Sequence, residues 1–318
     1  MTEQRNNAYI RKTVSLILTL FLFSFAAFMA FQIIPGDSVT AMLGTEATPE
    51  QIAAMRTELG YDKPLLVQYG RWISGFAKGD LGTSLGYRRP VAEILQDKIP
   101  ITAALSVLAF LLVIIISFPL GVLYAKLLGT PLNSLLVGIN QIVMSIPPFF
   151  SGIIFTFIFG IWLKFFTPGD FITPEQDLFG FWKYLFFPAL AIALPRCAMT
   201  IKLLRSSILT EMIKDYVRSG TSRGNTKNRL LYVHVLRNAL IPVITFLAMT
   251  FSNIVAGSII IEQIFVIPGM GRLMLVSISN RDYPMVLAIV MIIALIVILM
   301  NYLADVLCQI VDPRTRLS

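Results

Sequence analysis

Charged residues are absent from five long stretches of this chain: Thr13 to Gly36, Ile99 to Ala125, Leu127 to Leu163, Ala239 to Ile261 and Tyr283 to Ala304. A sixth stretch, Tyr184 to Ile201, is interrupted only by Arg196. A helix needs about 20 apolar residues to cross ~30 Å of hydrocarbon, so each stretch is long enough to span a bilayer. The pattern predicts an all-α integral membrane protein with six transmembrane helices and a polar insert between the first two. Within that insert, Thr48-Pro49-Glu50-Gln51 supplies an N-cap, a proline at the first helical position and a glutamine at the third. Gly60 then offers a stop, so a short surface helix is expected there. Trp72, Ile73 and Phe76 mark the apolar side of a second short helix lying along the membrane.

The segment from Glu211 to Pro242, between two apolar stretches, is basic and mostly polar. Ile208, Leu209, Met212, Ile213, Tyr216 and Val217 recur at helical spacing, which predicts one apolar side. Glu211, Lys214, Asp215 and Arg218 cover the other. Gly220 and Gly224 loosen this helix and permit a turn. By composition alone, such a helix could simply lie on a membrane surface.

Apolar residues make up 56% of the chain and charged ones 14%, far from the balance of a soluble domain. With the N-terminus inside, the pieces expected on the cytoplasmic side carry 14 Lys and Arg against 5 Asp and Glu. That asymmetry follows the positive-inside rule and places both termini in the cytoplasm. The net charge of +8 is then a topology signal, helped by anionic lipid, and calls for no nucleic acid. The first apolar stretch is longer than a signal-peptide core and lacks a small-x-small cleavage site, so a retained anchor is expected. No GxxxxGK[ST] run is present, and His234 is the only histidine. ATP phosphates are therefore not held by a P-loop, and two-histidine metal sites and most histidine-based triads are excluded. Cys197 and Cys308, in or beside different spans, read as packing residues rather than a disulfide.

DYVRSGTSRG at 215–224 followed by LRNALIP at 236–242 resembles the "EAA" coupling loop of permease subunits in binding-protein-dependent ABC importers. The resemblance is narrower than that, to the first permease of the dipeptide, oligopeptide and nickel group. IIPGDSV (33–39), ELGYDKPLLVQYG (58–70), GDLGTS (79–84), SIPPFF (145–150), IEQIFVIPGMGRL (261–273), RDYP (281–284) and DPRTR (312–316) carry it along nearly the whole chain. It implies a type I ABC importer permease fold in the plasma membrane: an N-terminus and first helix (1–33), an external insert (34–98), a five-helix core (99–310) and a cytoplasmic tail (311–318). The coupling loop would occupy 205–238. The resemblance further implies a second, homologous permease, two ATPase subunits that hold ATP and Mg, and an extracytoplasmic solute-binding protein. This chain itself would carry no cofactor, no metal and no catalytic residue. Carried over residue by residue, contact with the ATPase falls on Glu211, Asp215, Tyr216, Val217, Arg218, Gly220, Arg223 and Gly224. At Gly220 the family more often has alanine, and glycine costs the helix up to about 1 kcal/mol.

Arg196 lies 13 residues after Lys183, about 20 Å along a helix, which places it past the midplane toward the cytoplasm. A charge at that depth costs at least ~2.5 kcal/mol and is usually paired or cavity-facing. It either lines a central cavity and attracts a peptide carboxylate, or snorkels inward or pairs with an acid of a partner subunit. Asn140, Gln141 and Asn253 are candidates for the same path, though each can equally bridge helices. Peptides are the expected substrate, with nickel or another chelate as the alternative. A channel or secondary transporter working without ATPases is more remote, because it would be expected to hold more intramembrane acids.

Overall fold

The computed structural model describes residues 2–33 and 47–311. Apart from Ile33, the IIPGDSV run lies outside the described residues, as does DPRTR. The described chain is helical, with one isolated bridge between Thr83 and Pro90 in place of any strand. It divides into two compact units, residues 1–102 with 268–299, and 103–267 with 300–318.

The first unit holds α1 (Thr2–Ile33), α2 (Pro49–Leu59), α3 (Leu65–Ala77), α4 (Val91–Gln96) and α11 (Met270–Ser279). It also contains the start of α5 (Ile99–Lys126) and most of α12 (Tyr283–Val311). The α2 signals work as expected: the Thr48 hydroxyl accepts from Gln51 N, the Gln51 side chain accepts from Thr48 N, and Gly60 ends the helix in the left-handed conformation. Trp72 and Ile73 of α3 pack against Phe28 of α1, with Tyr69 buried between and its hydroxyl 2.8 Å from Ser24 Oγ.

A second cluster joins α4, α11 and α12 through Val91, Leu95, Met270, Leu273, Met285 and Ile289. Beside it, the buried Asp282 carboxylate accepts from Ser84 Oγ, from Leu85 N at 3.1 Å and from Gly86 N at 3.3 Å. It also accepts from Met285 N at 3.4 Å, at the start of α12. GDLGTS and RDYP, two separate runs in the sequence, are thus two sides of one hydrogen-bonded junction.

In the second unit the long helix α8 (Leu178–Met212) is central, packed against α6 (Pro131–Ser145), α7 (Pro148–Phe155) and α10 (Leu236–Ile264). Its apolar stretch is 67% buried, against 11% for α1, so α8 meets protein where α1 leaves its sides open. Asn140 of α6 donates to Ala198 O at 2.9 Å, and Tyr184 of α8 donates to Phe265 O at 2.5 Å.

Five of the six apolar stretches are single long helices. The stretch from Leu127 to Leu163 is broken: α6 and α7, the latter continued by a π-helical turn Thr156–Trp162, meet at a bend of 98°. Counted as one broken span, the pair makes six. The bend falls at Pro147-Pro148, where Ile146 and Pro147 are extended, as the residue before a proline prefers. Pro119, Pro188, Pro195 and Pro242, by contrast, all sit inside continuous helices.

Candidate functional site

The polar segment after α8 is shorter and more articulated than its periodicity predicts. α8 runs on to Met212, then Lys214 adopts an extended conformation (φ −71°, ψ 152°) and α9 begins at Asp215. The apolar repeat from Ile208 to Val217 therefore lies on two helices, not one. Ile208 is buried in α8, whereas Ile213, in the two-residue joint, is 70% exposed.

α9 (Asp215–Ser222) is anchored from beneath by the buried Val217. Asp215 sits in its first turn, where the helix dipole favours an anion, and is 4.0 Å from Arg218. Both of these charges are exposed, as is Arg223. A β-carbon on Gly220 would stand 2.5 Å from Leu230 Cδ2, so the absence of a side chain there lets α9 approach the returning chain. Gly224 has φ +83°, a left-handed conformation that glycine adopts without strain and that turns the chain back. Thr226 caps a short helical turn, Lys227–Arg229, followed by a π-helical segment, Leu230–Val235, that leads into α10. Lys126, at the end of α5, donates to Tyr232 Oη of that segment at 3.0 Å. His234 is exposed there.

One side chain gathers the three elements around this turn. The Glu211 carboxylate, in the last turn of α8 and only 12% exposed, accepts from Lys214 Nζ and from Tyr216 Oη at 2.9 Å. Tyr216 Oη in turn accepts from Asn238 Nδ2 of α10 at 3.4 Å. Burial pushes the Tyr216 phenol above its ordinary value, and the charge and hydrogen bond of Glu211 add to the rise. A cavity of about 170 Å³ opens beside this chain of bonds, lined by Ser206, Ser207, Thr210, Glu211, Asn238 and Pro242.

Of the ATPase-contact candidates, Glu211, Asp215, Tyr216, Val217, Arg218, Gly220, Arg223 and Gly224 thus fall within one local assembly. The path candidates do not gather in the same way. Asn140 is buried and engaged with α8, while Gln141 and Asn253 are exposed. The Asn253 amide donates back to Met249 O at 3.1 Å. Arg196 is half-buried, and among the described residues its guanidinium has no hydrogen bond or ion pair. No local pattern marks Asn238, which lies within the LRNALIP run as a polar residue near the start of an apolar helix. The bounds 205–238 put Arg205 in a loop, whereas it lies in α8 with a buried Nε that lacks a hydrogen-bond partner among the described residues.

The profile described as "Binding-protein-dependent transport system inner membrane component" matches residues 117–317, and that of its N-terminal part matches residues 7–106. The chain belongs to this family of inner-membrane permeases. Family membership makes it a permease component of an ABC transport system that works with a binding protein and an ATPase, and gives it the type I ABC permease fold. It is 33% identical over 308 residues to the oligopeptide transport system permease protein AppB of Bacillus subtilis, covering 96% of this chain and 98% of that one. It is 31% identical over 327 residues to the dipeptide transport system permease protein DppB of Alkalihalophilus pseudofirmus, with the same coverage. It is also 31% identical over 310 residues to the glutathione transport system permease protein GsiC of Escherichia coli, covering 98% and 99%.

Proposed function

We propose that this permease forms half of the translocation path of an ATP-driven peptide importer, with a second, homologous permease forming the other half. The substrate class rests on one observation: end-to-end similarity to permeases named for oligopeptide, dipeptide and glutathione transport. ATP and Mg belong to two ATPase subunits, and this chain performs no hydrolysis. The α9 turn, with Ile213, Arg218 and Arg223 outermost, docks on an ATPase and receives its displacement. Both termini lie in the cytoplasm, as the surplus of Lys and Arg on the segments assigned to that side favours. Residues 47–98 lie on the opposite side, where the solute-binding protein delivers its load. Arg196, a half-buried cation without a partner among the described residues, supplies a station for the carboxylate of a passing peptide.

Purification of a tagged chain from its native membrane in mild detergent, with mass spectrometry of what accompanies it, tests the assembly. The expected result is a second permease, ATPase subunits and a peptide-loaded binding protein. A chain that emerges alone and still moves peptide into liposomes overturns the proposal.

A further inference from the structure

Among the described residues, the Glu211–Tyr216–Asn238 chain of side-chain hydrogen bonds links α8, α9 and α10 together. Along the backbone, α9 is joined to α8 by two residues, one of them extended, and to α10 by a turn through Gly224 and the π-helical segment. Both connections can hinge. With Val217 as its one buried anchor, α9 could still pivot when pushed, without moving the helices behind it. The side-chain chain removes that freedom. Tyr216 Oη can donate once and accept twice, so it serves Glu211 and Asn238 at the same time. Glu211 is well suited to its end of the chain: it is largely shielded from water, and Lys214 neutralises it from the joint itself.

We infer that Glu211, Tyr216 and Asn238 form a latch that makes α9 move with α8 and α10 as one body, Asn238 being a positioning residue that acts through Tyr216. The inference rests on the reading of α9 as the ATPase-docking helix and deepens it. That reading concerns the outermost residues Ile213, Arg218 and Arg223; the latch concerns the bonds that tie Tyr216 of α9 to α8 and α10. Its loss leaves docking in place while the push dissipates at the joint.

The test uses the complete importer in liposomes and measures peptide moved per ATP hydrolysed, together with ATPase capture by the tagged permease. Asn238→Ala is expected to capture the ATPase at native stoichiometry and to lower peptide moved per ATP about fivefold, the factor carried by one net hydrogen bond. Tyr216→Phe keeps the ring and breaks both bonds, so combining it with Asn238→Ala should add no further loss. Gly224→Trp, which disturbs the turn itself, runs alongside. A native transport ratio for Asn238→Ala beside an uncoupled Gly224→Trp overturns the latch and leaves the docking reading standing. Native coupling in both variants overturns both. Loss of ATPase capture in Asn238→Ala also overturns the latch, because Asn238 would then belong to the docking surface.

Discussion

Arg196 is a guanidinium half-buried in a spanning helix, with no carboxylate to meet it among the described residues. If its partner is the substrate, Arg196→Ala should lower peptide uptake at least about tenfold, the factor of one charge-assisted hydrogen bond. ATPase capture should be unchanged. Uptake kinetics in proteoliposomes provide the check, and an unaltered KM for transport would assign Arg196 to snorkelling or to a neighbouring subunit. Gly220 poses a competition instead. Alanine would favour the α9 helix by up to about 1 kcal/mol, but its β-carbon would press on a Leu230 that is 3% exposed. Overpacking in such a place costs about 1–3 kcal/mol. Gly220→Ala is therefore expected to lower the thermal unfolding midpoint, and adding Leu230→Val to restore it. A midpoint that rises in the single variant would mean that Leu230 yields freely and that helix propensity wins.

Elements differed in how openly the chain announced them. α2 was legible to its caps, because Thr48, Gln51 and Gly60 act within a few residues of one another. α9 was not, since helical spacing continues through Ile213 and Lys214 while the backbone does not. Hydropathy likewise marks Leu127 to Leu163 as one apolar stretch, and only Pro147-Pro148 hints at the 98° bend. That the ATPase-contact candidates lie close together was legible because they are neighbours in the chain; the place of Asn238 beside them was not, because its partner sits across a turn. The Asp282 junction lay furthest out of reach, for it joins runs almost two hundred residues apart and no local pattern pairs them. Asp282→Ala would strand the Ser84 hydroxyl and the three backbone N–H groups of Leu85, Gly86 and Met285, each at about 1–3 kcal/mol if left buried. The 84–90 loop, with Arg88 and Arg89 exposed, should then be cut by trypsin several-fold faster in detergent. Cleavage at the native rate would show that the junction does not hold the loop.

At the scale of the whole molecule, the charge asymmetry makes a prediction that no side-chain contact can. Ser219 of α9 and Ser74 of α3 are both exposed, and the proposed topology puts them on opposite sides of the membrane. A membrane-impermeant maleimide should label Ser219→Cys only in inside-out vesicles and Ser74→Cys only in right-side-out ones. The unsubstituted chain supplies the background, with Cys197 buried. Labelling of both from one side would reverse the assignment. The match of the family along the chain fixes the class of molecule more firmly than any of its sites, because end-to-end similarity draws on the order of all the segments together.

The joint at Ile213 has a consequence for the life of the protein in the cell. A chain waiting for its ATPase leaves a 70% exposed isoleucine at a break between helices, with the exposed rings of Tyr216 and Tyr232 on the same polar segment. Surfaces of this kind are what chaperones and membrane proteases survey. If the ATPase covers this joint, as proposed, the steady-state amount of this permease should follow the supply of that subunit, and the exposed joint would mark unfinished assembly.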